Sequence, residues 1–541
     1  MRLPTTIGTV EVKKYVSVSA ICLLVLLWRF YQIRTLTLPA WVDSVHHTLL
    51  VRILLEQGKI PDTWAPYLPQ TPFYYHFGFH ASTVVFAKLT GLTGLDLGRA
   101  VLLVGQLWQV LLVLSIYLLG RSLWQQEEKA LTAMLLVTFV SQMPAYYVTW
   151  GRYTLLAGLT LMVLSMAAAL TGRRFALAVL TAATAITHHY AFFLLVPFLT
   201  MVWLLVPIKR WSIGIGGALG CIIASPWLWR VWTHGWRHVG LRVGEASFSA
   251  GNMNLWALLG PERNYLFLLI AGVGLGIVIK ELFSSDDSAN LMPSTQKKSE
   301  STKTPKGEEK KTESGTNFAR QLSRERANMA PLVGWSLFIV GLMGPWKIGP
   351  FRPDHAAIVL FVPAVLMATE AIWSLKWPRV IWYLVLLLLL LGMWDTRNIL
   401  RPGTVFASAN DLVAIRWVDE QTSPTDTFLI DVEPWFGRWR GIDGGWWITP
   451  LTGRHTVLPP LAYGWSEPDV FRQIVHVAEQ IDLLYCVHNS EYCGKLKSLM
   501  QQTDADYYHT YTTVPQQCSF IQPVYDGMTG IYIYKRGIVQ K

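Results

Sequence analysis

Asp43, His46 and His47 fall within the seven residues WVDSVHH, directly after the first apolar stretch of the chain. A carboxylate placed there can take a proton from a hydroxyl group, and cationic or hydrogen-bonding side chains beside it can hold an anion. The same residue types recur at other junctions between apolar and polar sequence. They are Tyr75 and His76 in PFYYHFGFH, Arg152 and Tyr153 in YYVTWGRY, and His188 and His189 in THHY. Further on come Arg352, Asp354 and His355 in GPFRPDH, then Trp446, Trp447 and Arg454 in DGGWWITPLTGRHT. Arginine suits a phosphate because its planar fork donates two parallel hydrogen bonds. Each group also has an ordinary reading. Tyr and Trp anchor spans at a membrane surface, Arg152 can meet a lipid phosphate, a histidine can be a satisfied core residue, and Arg352 can simply pair with Asp354 to fix a loop.

The elements that must position these residues are membrane helices. Of 541 residues, 52% are hydrophobic and only 15% charged, which leaves too little polar surface for an ordinary soluble globule. A bilayer core of roughly 30 Å needs about 20 mostly apolar residues per helix. Eleven runs are read as spans, near 15–33, 98–120, 129–147, 154–171, 175–188, 191–207, 212–231, 264–280, 330–346, 355–373 and 379–394. The first has no small-residue cleavage site and is read as a retained anchor. The apolar run within 78–92 is about ten residues long, about 15 Å of helix, and contains Lys88, so it is read as an interfacial or re-entrant helix on the outer face. With the N-terminus inside, every short cytoplasmic connection carries Lys or Arg: Arg121 and Lys129, Arg173 and Arg174, Lys209 and Arg210, Lys376 and Arg379. Asp43 and the other polar turns are then extracytoplasmic. The run before His188 is short, about 20 Å of helix, which puts the histidine pair in a recess open to the outside.

Four segments follow. Residues 1–281 form an N-terminal transmembrane module whose first external loop is 34–97. Residues 282–329 are a low-complexity polar linker on the cytoplasmic side that cannot bury enough apolar surface to fold. Residues 330–395 hold the last transmembrane helices, and 396–541 an α/β domain on the outer face. In that domain TFLIDV, YCVH and GIYIYKR read as strands, and 408–421 and 466–481 as helices. Cys486, Cys493 and Cys518 permit one disulfide, with Cys486 to Cys493 expected. Cys22 and Cys221 lie within spans and are read as packing residues. The net charge of +11 resides in loops beside the membrane, which argues against a nucleic-acid partner.

An acid directly after the first span, an interfacial helix in the first external loop, a second span ending in a basic cytoplasmic turn and a polar aromatic turn after the third together resemble the GT-C glycosyltransferases. These are integral membrane enzymes that use polyprenyl-phosphate-linked sugars and keep an essential carboxylate in the first external loop. DGGWWITPLTGRHTVLPP is similar to the tryptophan-rich motif in the C-terminal domain of oligosaccharyltransferase catalytic subunits, except that Asp443 precedes Trp446 and Trp447. YYVTWGRYT lacks the acidic pair found after the third span there, and Asp43 is followed by Ser44 rather than by a second acid.

The resemblance implies a polytopic α-helical membrane protein of about 11 transmembrane helices with a C-terminal extracytoplasmic α/β domain. It implies sugar transfer from a polyprenyl-phosphate-linked donor to a glycan, lipid or protein acceptor, among membrane lipids. Asp43 is then the general base and Asp354 the rival acid. His46, His47, Tyr75, His76, Arg152, Tyr153, His188, His189, Arg352, His355, Trp446, Trp447 and Arg454 contact substrate, with the arginines and histidines neutralising phosphate. A divalent metal on Asp43, His46 and Asp354 is compatible with the ligand types, though no spacing fixes one. A transporter or lipid flippase is the alternative; it would place ionisable groups near the bilayer midplane and often repeat internally, and neither pattern is visible. A scaffold with an external sensing domain would not need so many ionisable groups at the boundary. The absence of a retention signal points to a bacterial plasma membrane.

Overall fold

A computed structural model describes residues 9–236, 243–245, 265–283, 325–344, 346–348, 351, 353–442, 444–487, 489–527 and 530–537. Arg352, Asp443 and most of the expected linker lie outside the described residues.

The chain begins with α1 (Thr9–Gln32), followed by α2 (Val42–Gln57), a small hairpin of β1 (Thr63–Trp64) and β2 (Leu68–Pro72), and α3 (Gly78–Thr90). Next come α4 (Leu97–Trp124) and α5 (Glu127–Leu135), which runs on into a π-helical turn, Leu136–Val140. Then follow α6 (Tyr153–Thr171), α7 (Arg174–Thr187), α8 (His189–Leu205), α9 (Arg210–Val231), the short strand β3 (Val243–Glu245) and α10 (Tyr265–Phe283). Helix α11 (325–342), strand β4 (Trp346–Ile348), α12 (Pro353–Val359), α13 (Phe361–Trp373) and α14 (Pro378–Thr396) complete this part.

The apolar runs read from the sequence are largely helical, and the eleven spans expected there are matched in part. Among the described residues five helices are long and apolar enough to cross a membrane: Gly94–Trp124, Tyr153–Thr171, Pro207–Gly235, Tyr265–Phe283 and Pro378–Thr396. A sixth is added if α12 and α13, bent by 40°, count as one. Some of the others are shortened by identifiable breaks. The backbone at His188 is extended (φ −162°, ψ 114°), which separates α7 from α8 and ends α7 after 14 residues. Helix α5 loses its α-helical ladder at the π turn. Helix α3 has 13 residues, about 20 Å, and falls short of a span as expected.

Buried polar contacts tie the broken helices together. Arg29 on α1 is almost fully buried; it donates to Gln32 Oε1 at 2.8 Å and to the Thr138 carbonyl of the π turn at 3.0 Å. Gln32 in turn donates to the Thr396 carbonyl at the end of α14 (2.7 Å). These bonds satisfy backbone groups that irregular helix ends leave open, in a place where water cannot.

The C-terminal domain opens with α15 (Ala409–Gln421), capped by a reciprocal Ser408 and Asp411 box. It continues with β5 (Thr427–Ile430), β6 (Val432–Trp435), β7 (Arg438–Gly441), α16 (Ile448–Thr452), β8 (His455–Thr456), α17 (Pro468–Asp482), α18 (Asn489–Gln502), β9 (Tyr507–Thr510), β10 (Ile521–Gly527) and β11 (Ile531–Arg536). Five strands form a mixed sheet in the order β10-β11-β9-β5-β8, with β5 parallel to both β8 and β9. Its core includes Phe428, Leu429, Ile430 and Ile533, all fully buried. Hairpin β6–β7 stands apart from this sheet, paired Glu433 to Arg440 and Trp435 to Arg438.

Two local expectations fail in this domain. YCVH is no strand, because Leu483–Cys486 is a 3-10 turn continuing α17. The disulfide joins Cys493 to Cys518 with Cα atoms 5.1 Å apart, and Cys486 is free and exposed. Cys493 lies on α18, whose packing brings it to the loop before β10. Proximity in sequence favoured the wrong partner.

The domain grips the membrane part through α2. Arg52 donates to the Leu451 carbonyl of α16 at 2.9 Å, and Trp41 N–H to the Thr404 carbonyl at 2.8 Å. Helix α2 is consequently covered on several sides; Ser44 to Val51 are all buried.

Candidate active site

WVDSVHH forms the first turns of α2, with Asp43 in the first turn. Burial pushes the Asp43 carboxyl up from the ordinary carboxylate range to about 6, while the Arg152 guanidinium pulls it the other way. Its carboxylate takes no hydrogen bond among the described residues.

Arg152 acts on Asp43 electrostatically because the turn before it packs on the N-terminus of α2. Gly151 has φ +60°, and a Cβ there would come within 3.0 Å of the Ala40 carbonyl oxygen and 3.1 Å of Ser44 N. Only glycine permits both that backbone and that approach. Arg152 Nη1 lies 3.4 Å from His355 Nε2, and its Nε is buried without a partner among the described residues. Asp354, 5% exposed, sits beside His355 with Oδ2 3.9 Å from Nε2.

A band of histidines continues from α2. His80 Nε2 lies 3.1 Å from His47 Nδ1, and the His46 and His47 rings are 4.4 Å apart. His46 Nε2 is 3.4 Å from the Tyr75 hydroxyl. The Tyr75 ring stands 4.0 Å from His76, and His76 4.4 Å from His188 and 5.4 Å from His189. Trp227 Nε1 donates to His189 Nε2 at 3.2 Å, and Tyr190 contacts His355 with centroids 5.2 Å apart. The Tyr153 ring stacks on Phe79 at the edge of the band.

The charge state of this band decides which contacts it can offer. Burial, with Arg438 adding to it, drives His46 down to about 3. Burial and neighbouring imidazoles hold His47, His76 and His80 well below the ordinary histidine value. These rings are neutral near pH 7 and cannot neutralise a phosphate. A neutral imidazole offers one donor and one acceptor, and His46 Nδ1, His76 Nε2 and His188 Nδ1 are buried with no partner among the described residues. Such a set suits hydroxyl groups or water. No three His, Cys, Asp or Glu side chains among the described residues are arranged to hold a metal ion, so Asp43, His46 and Asp354 do not form the metal site considered above.

Three sequence candidates belong to the interior of the C-terminal domain. Trp446 and Trp447 are 1% exposed, and Trp446 Nε1 donates to the Pro459 carbonyl. Arg454 is buried, paired with Asp419 and bonded to the Thr422 carbonyl. In their place hairpin β6–β7 supplies residues that the sequence reading missed. Arg438 is close enough to influence His46 and Tyr74, and Arg440 lies over the Trp41 ring. The alternation RWRG after a turn sequence was the available signal, since residues two apart share one face of a strand. His80 was missed too, although it ends PFYYHFGFH. On the membrane side, a groove of about 780 Å³ between α8 and α9 is lined by Phe192, Ser225, Pro226, Leu228, Trp229 and Trp232, next to Trp227 and His189.

No family model matches the chain, and none of the curated proteins does. Solved structures do. An archaeal oligosaccharyltransferase, AglB from Archaeoglobus fulgidus, in complex with an inhibitory peptide and a dolichol-phosphate, aligns at 12% identity with a TM-score of 0.50, covering 92% of this chain and 69% of that one. ArnT from Cupriavidus metallidurans bound to undecaprenyl phosphate aligns at 11% identity with a TM-score of 0.56, covering 96% of this chain and 97% of the other. The arabinofuranosyltransferase AftD from Mycobacteria aligns at 12% identity with a TM-score of 0.55, covering 99% of this chain but 40% of its own. At such identities the likeness is one of fold alone, and it is a likeness to membrane glycosyltransferase structures of the kind the sequence resemblance led us to expect.

Proposed function

We propose that the chain transfers a sugar from a polyprenyl-phosphate-linked donor to an acceptor hydroxyl or other nucleophile at the extracytoplasmic surface of a membrane. The observation that carries this reading is Asp43, whose carboxyl is raised to about 6 and takes no hydrogen bond among the described residues, within the electrostatic reach of Arg152. A carboxylate poised near the working pH is suited to general-base chemistry. In the step envisaged, Asp43 takes the acceptor proton as the acceptor atom bonds to the sugar C1. The C1–O bond to phosphate breaks, and the polyprenyl phosphate leaves against the cationic guanidinium of Arg152. The neutral histidines hold sugar hydroxyls, and the groove between α8 and α9 takes the prenyl chain. The ArnT and AglB structures were obtained with a polyprenyl-type phosphate, which supports this class of donor.

The test uses the purified full chain in detergent with a panel of radiolabelled undecaprenyl-phosphate-linked hexoses and pentoses. Release of undecaprenyl phosphate with transfer of label to an acceptor is expected from at least one donor. Failure with the whole panel, together with translocation of a lipid-linked sugar across proteoliposomes, would establish the transporter instead.

Orientation has its own test. In a background lacking Cys22 and Cys221, the exposed Cys486 is expected to react with a membrane-impermeant maleimide in intact cells. A cysteine replacing the exposed Gln125, at the other end of α4, is expected to react only after permeabilisation. The reverse pattern would put Asp43 in the cytoplasm.

A further inference from the structure

Trp41, two residues before Asp43, has φ 74° and ψ 165°. That region of backbone space is essentially reserved for glycine, and a bulky residue stays there only when its surroundings over-determine it. The surroundings of Trp41 come from the C-terminal domain. Its indole stacks on Phe406 (centroids 5.6 Å apart, 27°) and meets the edge of Trp435 (6.2 Å, 75°). The Arg440 guanidinium lies 5.5 Å from the Trp41 ring and 4.4 Å from Phe406, held by a 2.6 Å hydrogen bond to Glu433 across the hairpin. The hairpin itself is pinned by Tyr463, whose hydroxyl bonds both the N–H and the carbonyl of Trp439 at 2.7 Å. At the inner end, the Trp41 carbonyl accepts from Ser44 N–H at 3.2 Å, so the conformation of residue 41 sets the first turn of α2.

We propose that Trp41 is a positioning residue: through it, hairpin β6–β7 of the C-terminal domain fixes the first turn of α2 and so aims the Asp43 carboxylate. This rests on the proposed role of Asp43 as base. Glycine at 41 would adopt the same backbone freely, so conserving the fold does not require tryptophan. What the indole adds is a rigid link between the outer domain and the reacting carboxylate. Gly151 holds the other side of the same turn, leaving Asp43 between a membrane-side and a domain-side support.

The experiment compares wild type, Trp41→Gly, Trp41→Phe, Arg440→Gln and Asp43→Asn with the undecaprenyl-phosphate-linked sugar that serves as donor in the panel. Trp41→Gly and Arg440→Gln are expected to lower kcat about 10- to 100-fold, the scale of loss when a reacting group is held less exactly. KM for the donor should stay within about twofold, which corresponds to only a small part of the 1.4 kcal/mol that makes a factor of ten. The acid limb of the pH profile should move, because a displaced carboxyl sits in a different degree of burial, and Trp41→Phe should recover most of the rate. Thermal stability of Trp41→Gly should stay near wild type. Wild-type kcat and limb in Trp41→Gly, with Asp43→Asn inactive, would overturn the positioning role alone. A fall in kcat with an unmoved limb and a lowered Tm would also overturn it, as loss of packing only. Activity in Asp43→Asn would remove the base on which the proposal rests.

Discussion

Asp43→Asn is expected to fold as well as wild type and to lose about 10² to 10⁴ of its transfer rate, the usual worth of a general base. Folding should survive because the amide matches the carboxyl in size and the native carboxylate gives up no hydrogen bond among the described residues. Stability should even rise slightly at neutral pH. The folded-state value of about 6 lies above the ordinary 3.8, so the folded protein binds the proton more tightly. That contribution is fully present at low pH and is lost as pH rises through about 6, leaving a buried charge that asparagine does not carry. Activity runs the opposite way. The base must be ionised, so kcat/KM in wild type should rise about tenfold per pH unit below about 6 and level off above it. Asp354→Asn is the parallel case. Near-normal transfer in Asp43→Asn with loss in Asp354→Asn would hand the role to Asp354, which lies beside His355 at the other side of Arg152.

Much of this architecture was legible because it follows from where apolar residues run and stop. The helix positions and the turn of YYVTWGRY beside the bilayer edge came from hydropathy alone. What hydropathy could not show is how far each helix keeps its regular ladder. The π turn at Leu136–Val140 and the extended backbone at His188 depend on tertiary partners such as Arg29, which supplies a donor to the Thr138 carbonyl. The candidate site was half visible for a similar reason. Asp43, His46, His47 and Arg152 are conspicuous as polar residues beside apolar runs, but their charge states are set by depth of burial. Burial lowers His46 and His47 far enough to favour neutral, hydrogen-bonding rings over the phosphate-neutralising cations that residue type alone suggests. Trp446 and Trp447 were drawn into the site by motif likeness, whereas Trp41 and Arg440 entered only through a pairing between α2 and a hairpin roughly four hundred positions away, which no local pattern encodes.

Arg152→Gln is expected to cost about 10² to 10³ in transfer rate, the range seen when a preorganised group facing developing negative charge is removed. Its guanidinium acts electrostatically on Asp43, and its Nε has no partner among the described residues, so in the proposed step it receives the leaving phosphate. The loss should contain two separable parts. One is weaker stabilisation of the departing phosphate, visible as a pH-independent fall in the plateau rate and as weaker binding of undecaprenyl phosphate itself. The other acts through Asp43. Arg152 opposes the rise that burial imposes on that carboxyl, so removing the positive charge must push it above about 6 and carry the acid limb of kcat/KM to higher pH. Part of the deficit at pH 7 should then be recovered at pH 8. Arg152→Lys keeps the charge but not the planar fork, so its limb should stay close to wild type while the plateau still falls. A limb that does not move in Arg152→Gln, with wild-type affinity for undecaprenyl phosphate, would mean that the guanidinium serves only to hold its turn against α2, and the phosphate would have to be received elsewhere.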